Sequence, residues 1–254
     1  MAFLVTCEHG NHQIPDWVAA QLFANQTVVA EESYDVGALD AAKQLSRILR
    51  CPLIASAFSP AIIDVNRSIG NRGVFPAATR SFSRAQKQRL IAEIHAPYRK
   101  NVAQAVQRLV KKDGIVIHLS VHSFATFSPT EVVPEGEDRA LSARRTDLGL
   151  LYDPSRLFEL ALCLDWYDDL YDAMPMLRVR RNYPRRGNSE SLIRNLREKY
   201  AQDTYIGVEL QLNRAWCGRD LPVREKVFGG IPKSLLRLFE AAREADSIRE
   251  ADAA

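Results

Sequence analysis

The chain alternates short apolar runs with longer segments in which apolar residues recur at helical spacing. Between Val36 and Leu49 the apolar positions lie three and four residues apart, which predicts a helix, and Ser83 is placed to cap a second helical stretch that runs to about Lys112. Compact apolar runs predict strands at residues 2–6, 53–58, 61–65, 115–121, 148–152, 177–179 and 205–212. Because strands and helices alternate, we expect a three-layer α/β fold in which helices cover both faces of a largely parallel sheet.

No internal repeat, low-complexity tract or linker interrupts this alternation, so the sequence predicts a single domain over residues 1–254. The net charge of +3 is too small to indicate nucleic-acid binding, and no apolar run approaches the ~18 residues of a membrane span. The cysteines are far apart without a CxxC pair, and the N-terminus shows no signal peptide. We therefore expect a cytoplasmic protein that binds neither nucleic acid nor membranes; the sequence gives no prediction of its oligomeric state.

Polar side chains follow or interrupt several of the predicted strands. In chain order they are His9, Asn66 with Arg67, His122 with Ser123, and Glu209. In open parallel sheets, ligands bind beyond the carboxyl ends of the strands. These side chains are therefore expected at one edge of the sheet, where they would form a site.

Two histidines at one sheet edge suggest a metal site. Imidazole is a common zinc ligand, and catalytic zinc usually keeps three protein ligands and a water, so His9 and His122 are the first candidates. Asp35 is a candidate third ligand, although it lies where it could simply cap the helix that begins near Val36. Further acidic candidates are Glu8, Glu31 and Glu32. Zinc suits such ligands, and iron, manganese and cobalt are also compatible with them.

Glu209 is the candidate general base. A carboxylate inside a buried strand is costly unless it is paired or functional. Beside a metal site it could take a proton from water and pass that proton to a leaving amine. The alternative is a buried ion pair with one of the arginines.

Several residues are candidates for binding an anionic substrate. Arginine binds a carboxylate through two parallel hydrogen bonds. Arg67 is the first choice for this role. A salt bridge of Arg67 with Asp64 or Asp35 would also explain an arginine at this position. The other candidates are Ser123, Arg144, Arg145 and Asn182. The polar segment 123–141 is long enough to form a lid.

A series of short motifs runs from Leu4 to Leu212 in the order CEHGNHQIP, YDVGALDAA, DVNRS, HAPYRKNV, VHSF, RRTDLGLLYDP, NYPRRG and GVELQL. In this order the motifs resemble the N-formylglutamate amidohydrolase family. The resemblance implies a zinc-exopeptidase-like α/β fold. It also implies zinc-dependent hydrolysis of a small N-acyl amino acid, such as N-formylglutamate in histidine degradation.

The chain is also similar, more distantly, to zinc-dependent N-acetylmuramoyl-L-alanine amidases. That similarity implies His9, Asp35 and His122 as zinc ligands and Glu209 as the general base. The first motif departs from the family pattern, which reads closer to Pro-His-x-Gly, so the chain resembles a divergent branch whose substrate can differ. Two alternative functions are an amidase for recycled peptidoglycan fragments and a non-catalytic binding protein of the same fold.

Overall fold

A single mixed sheet is the centre of the fold. The computed structural model describes residues 1–29, 33–125, 146–216 and 219–252. Its strands are β1 (Ala2–Cys7), β2 (Leu53–Ala55), β3 (Val116–Phe124), β4 (Leu148–Leu151), β5 (Val179–Arg181) and β6 (Tyr205–Asn213). Within these residues the strand order is β2-β1-β3-β6-β4-β5, and neighbours are parallel except for the antiparallel pair β4 and β6.

The helices of the described residues begin at recognisable signals. They are α1 (Asp16–Ala24), α2 (Ala38–Leu49), α3 (Arg84–Leu90), α4 (Ala96–Asp113), α5 (Leu157–Ala173), α6 (Leu192–Arg197) and α7 (Leu221–Asp252), with a π-helical turn, Ile91–His95, between α3 and α4. Ser83 begins α3 with a capping box, in which its hydroxyl accepts from the Gln86 N–H while the Gln86 side chain accepts from the Ser83 N–H. None of the helices in this part of the chain is both long and apolar enough to cross a membrane.

Two hydrophobic clusters hold the helices against the two faces of the sheet. The first joins α2, α5 and α7 to the sheet through buried side chains that include Leu45, Trp166, Phe228, Leu119 and Val208. The second joins α1, α4 and α6 to the opposite face through Val18, Val102, Leu192, Leu4 and Tyr205. Side chains alternate along a strand, so β3 sends Ile117, Leu119 and Val121 to the first face and His118, Ser120 and His122 to the second.

The expected three-layer α/β fold with a mostly parallel sheet is confirmed, but two details are wrong. Residues 61–65 form turns and irregular backbone instead of a strand. Ile62, Ile63 and Val65 are nevertheless buried, because an apolar run indicates burial and not sheet pairing. In addition, the strand predicted to end at residue 121 continues to Phe124, so that His122 lies within β3 and does not follow it.

His118 shows how the second face of β3 accommodates polar groups in the core. Its ring is fully buried, with Nε2 2.8 Å from the Thr6 hydroxyl and Nδ1 2.6 Å from the Tyr205 hydroxyl. Burial lowers the pKa of His118 to about 4, with Glu8 opposing and Arg197 reinforcing the effect. The ring is therefore neutral in the folded protein near neutral pH.

We expect acid to destabilise the fold through His118. The pKa of an unperturbed histidine is 6.5 and that of His118 is about 4, so the unfolded chain binds the proton first. The free energy of unfolding should fall by about 1.4 kcal/mol per pH unit between these values, or roughly 3 kcal/mol in total. Urea unfolding at several pH values measures this loss, and His118→Gln should show a shallower dependence. Equal slopes in the two proteins would contradict the assignment.

Candidate active site

The carboxyl ends of β1, β3 and β6 meet at a cavity of about 200 Å³. Parallel pairing places Thr6 beside Ser120 and Ser120 beside Glu209, so residues just beyond these positions meet at one edge. The cavity is lined by His9, Asp35, Asp64, Asn66, Arg67, His122, Ser123, Arg185, Ser189, Glu190 and Gln211. Most of the polar side chains that the sequence places at strand ends are thus brought together.

His9, Asp35 and His122 form a compact group inside the cavity. Asp35 Oδ2 is 2.8 Å from His122 Nδ1 and 3.6 Å from His9 Nδ1, and the two imidazole rings stand edge to face with centroids 4.9 Å apart. Among the described residues they form the one group of three or more histidine, cysteine or acidic side chains whose ligand atoms all lie within 4.8 Å of one another.

Asp35 reaches the histidines because the chain turns sharply before α2. The helix begins at Ala38, after Gly37 with φ of +78°, a left-handed conformation that glycine adopts without strain. The Asp35 N–H donates to the carbonyl oxygen of His9 over 2.8 Å, and no side chain caps the helix. The alternative interpretation of Asp35 as a helix cap is therefore wrong.

The second nitrogen of each histidine has a polar partner of its own. His9 Nε2 lies 2.7 Å from Asp64 Oδ1, while His122 Nε2 lies 3.0 Å from the Ser120 hydroxyl and 3.4 Å from Glu8 Oε2. Both rings therefore direct Nδ1 toward Asp35, while Nε2 contacts a polar side chain on the far side of the ring. Metal-ligating histidines are commonly oriented in this way.

The carboxylates make the centre of the cavity favourable for positive charge. Burial by itself lowers the pKa of His9, but Asp64 and Asp35 outweigh it and raise that pKa well above its ordinary value. Burial opposes ionisation of Asp35, yet hydrogen bonds with His122 and His9 hold its pKa below the usual range. Burial also opposes ionisation of Asp64, but the charge of His9 lowers that pKa to about 2.

This donor set fits a divalent cation. Two imidazole nitrogens and a carboxylate oxygen are the kinds of ligand that catalytic zinc sites use, and they leave a position for water or substrate. Other first-row metals accept the same ligands. The polar side chains that contact both Nε2 atoms support this assignment, and so do the carboxylates that favour positive charge at the centre of the cavity.

Two arginines and a buried glutamate lie on the other side of the cavity. Arg67 Nε donates to Asp64 Oδ2 over 3.0 Å, and 43% of the Arg67 side chain is exposed. Arg185 forms a salt bridge with Oε2 of Glu209, whereas Glu209 Oε1 and Arg185 Nη1 are buried without a hydrogen-bond partner. Glu209 is fully buried behind Arg185 and does not itself line the cavity. The ion pair anticipated as the alternative is present, but it leaves one carboxylate oxygen unpaired.

The HAPYR motif, where the π turn meets α4, holds the irregular segment that carries Arg67. His95 Nε2 donates to the carbonyl oxygen of Arg67 over 2.7 Å. Arg99 Nη1 lies 3.1 to 3.2 Å from the carbonyl oxygens of residues 65, 66 and 67, to which it donates, and Nη2 donates to Asn195. The carbonyl oxygens of this irregular segment have no partner on any strand that the structure describes, and the side chains of His95 and Arg99 supply their hydrogen bonds instead.

The remaining predicted substrate-binding residues have different positions. Ser123 lines the cavity, and its hydroxyl is buried without a hydrogen-bond partner. Asn182 does not line the cavity; its Oδ1 accepts from the N–H groups of Tyr152 and Gly187 and so shapes the loop that carries Arg185. Arg144, Arg145, Glu31, Glu32 and most of the expected lid lie outside the described residues.

Sequence reasoning did not assign five of the cavity residues: Asp64, Arg185, Ser189, Glu190 and Gln211. Gln211 could have been found, because alternation along β6 puts it on the same face as Glu209. Asp64 appeared only as a salt-bridge partner for Arg67, although it belongs to the same DVNRS motif. Arg185 is one of several arginines in a basic stretch, and nothing local distinguishes it from its neighbours.

Comparisons with known proteins agree with this fold. One of the similar solved structures is gene product Atu2144 from Agrobacterium tumefaciens, with a TM-score of 0.74 and 18% identity over 95% of this chain and 91% of that chain. Another is N-formylglutamate amidohydrolase from Ralstonia eutropha JMP134, with a TM-score of 0.70 and 17% identity over 96% of this chain and 94% of that chain. No curated protein matches the sequence. The profile of N-formylglutamate amidohydrolase matches residues 1–216, a span that contains all six strands and the whole cavity. The chain therefore belongs to the N-formylglutamate amidohydrolase family.

Proposed function

We propose that this protein is a zinc-dependent amidohydrolase that cleaves the amide bond of an N-acylated acidic amino acid, such as N-formylglutamate. The group formed by His9, Asp35 and His122 carries the proposal, because its donor atoms converge on a space that favours positive charge. Family membership supports the reaction class. The name of the similar Ralstonia protein supports the choice of substrate.

His9, Asp35 and His122 would hold the ion, with zinc as the preferred metal. When bound, it would lower the pKa of water and polarise the acyl oxygen of the substrate. Asp64 maintains His9 in the orientation that directs Nδ1 toward Asp35. The cavity, with a volume of about 200 Å³, suits a small substrate.

Glu209 is the proposed general base. The other acidic residues on that side of the cavity are occupied: Asp64 accepts from Arg67 and the Asn66 N–H and contacts His9, and Glu190 accepts from Ser68 and Asn71. Glu209 keeps Oε1 without a hydrogen-bond partner. It would take a proton from the attacking water and return it to the departing amine, so that an amide and water become a carboxylate and an amine.

Arg67 and Arg185 are the proposed partners of the substrate carboxylates. Arg67 lines the cavity with 43% of its side chain exposed, and Arg185 has a buried Nη1 without a partner. A substrate carboxylate that binds Arg185 competes with Glu209 for the guanidinium group. Substrate binding would thereby release the base beside the bond that is cleaved.

Removal of a metal ligand should remove the metal without unfolding the protein. After chelation and dialysis against zinc, metal analysis is expected to find the ion in the wild-type protein and to find it lost in His9→Ala, His122→Ala and Asp35→Ala. His12→Ala is the matched control, since His12 is exposed and lies outside the group. A wild-type protein that takes up no zinc, or that takes it up but hydrolyses none of a panel of N-formyl and N-acetyl amino acids, contradicts the proposal.

Glu209→Gln should retain zinc and lose turnover. Loss of a general base lowers kcat by about 10²- to 10⁴-fold, while the metal ligands stay intact. Glu93→Gln provides a control, because Glu93 is an exposed glutamate of the π turn before α4, does not line the cavity and forms its salt bridge with Arg89. Steady-state kinetics with N-formylglutamate decide the question, and a kcat close to that of the wild type in Glu209→Gln would assign the base to another group.

Arg67→Ala should weaken substrate binding. The loss of a charge-assisted hydrogen bond of about 1.5 to 3 kcal/mol corresponds to a KM for N-formylglutamate that rises by roughly 10- to 100-fold. Arg72→Ala, which removes an exposed arginine of the same loop, should leave KM unchanged. An unchanged KM in Arg67→Ala would mean that Arg67 serves only its salt bridge with Asp64.

A further inference from the structure

Glu8 differs from the other fully buried glutamates of the described residues in how its charge is compensated. Glu159 has a two-point salt bridge with Arg197 and a further contact with Arg156, and Glu209 is paired with Arg185. No lysine or arginine in this part of the chain forms a salt bridge with Glu8, whose one ionic contact is with His122. A buried carboxylate without such compensation is costly, so its position needs an explanation.

The hydrogen bonds around Glu8 have a defined direction. An ionised carboxylate can only accept, so Tyr98 donates to Oε1 over 3.1 Å and Ser120 donates to Oε2 over 2.7 Å. The Ser120 proton is then used, and its oxygen is left to accept from His122 Nε2, which lies 3.0 Å away. Glu8 Oε2 is itself 3.4 Å from that nitrogen.

We propose that Glu8 is a positioning residue for His122: acting with Ser120, it keeps a proton on Nε2, so that Nδ1 is the ring nitrogen that would bind the cation. This inference rests on the proposed metal site. The Asn66 amide nitrogen, 3.5 Å from the same Nε2, is a competing donor that would favour the opposite tautomer. Asp35, whose Oδ2 lies 2.8 Å from Nδ1, also attracts a proton to that nitrogen. Glu8 and Ser120 oppose both groups, because each presents an acceptor to Nε2. Glu8 is thus not the third metal ligand, one of the alternatives that the sequence left open, but the partner that presents a ligand.

The variant Glu8→Gln separates charge from shape, because it preserves the size of the side chain and can still accept from Ser120 or Tyr98. In metal-free protein labelled with ¹⁵N, long-range proton–nitrogen spectra report which ring nitrogen of His122 carries the proton, and the signals are assigned by their loss in His122→Asn. We expect Nε2 to carry a proton in the wild type, and we expect the ring of His122 in Glu8→Gln to carry its proton on Nδ1, which faces Asp35. The zinc dissociation constant, measured against a competing chelator, should rise by about 10- to 100-fold.

Glu198→Gln, which neutralises an exposed glutamate, should match the wild type in both measurements. Glu8 has only a structural role if Glu8→Gln is folded and retains both the tautomer and the zinc affinity. If Glu8→Gln does not fold, Ser120→Ala tests the same relay, since it removes the intervening hydroxyl and keeps the carboxylate; unchanged values there overturn the proposal. A wild-type protein that binds no zinc refutes the proposed function, while the His122 tautomer still tests the role of Glu8.

Discussion

The parallel register of β1, β3 and β6 is the constraint on which the cavity depends. It pairs Thr6 with Ser120 and Ser120 with Glu209, and the side chains two residues further along these strands reach the same edge of the sheet. Because side chains alternate along a strand, a shift of one residue would turn His122 toward the apolar cluster under α2, α5 and α7. The same pairing therefore specifies both the hydrophobic core and the position of the side chains that line the cavity.

The buried charges divide into a structural and a functional set. Glu159 and Arg197 neutralise each other, and Arg197 also donates to the carbonyl oxygens of Gly187 and Gly207, which connects α6 with β6 and with the loop that carries Arg185. Around His9 and His122, by contrast, the carboxylates of the described residues outnumber the cations that are fixed beside them. The fold thus concentrates uncompensated negative charge at one place, and that place is the proposed metal site.

The fold and the central histidines could be predicted because their signals are local. An apolar run that ends in histidine can be recognised within a few residues, and both His9 and His122 lie where such runs lead into the cavity. The segment 61–65 marks the limit of this reasoning, because burial in a turn and burial in a strand require the same apolar residues.

Other features of the cavity could not be predicted, because they depend on contacts between distant parts of the chain. Arg185 acquires its role from Glu209, which is 24 residues away in sequence and belongs to a central strand. Asn182 was expected to contact substrate, but its amide is used to shape a loop, and only the positions of Tyr152 and Gly187 reveal that use. Polarity in a loop is compatible with either role, so composition alone does not distinguish them.

The π turn between α3 and α4 sets the rotational phase of the helix that follows. Each residue of an α-helix advances by about 100°, so the wider π turn rotates every later side chain relative to α3. Before this turn, Leu90 packs in the second hydrophobic cluster; beyond it, Tyr98 donates to Glu8, and Arg99 donates to the carbonyl oxygens of residues 65–67. The continuous segment of α3, the π turn and α4 thereby combines side chains that pack in the hydrophobic core with side chains that bind the backbone of an irregular loop. A single residue deleted from the π turn would therefore rotate Tyr98 and Arg99 away from these partners.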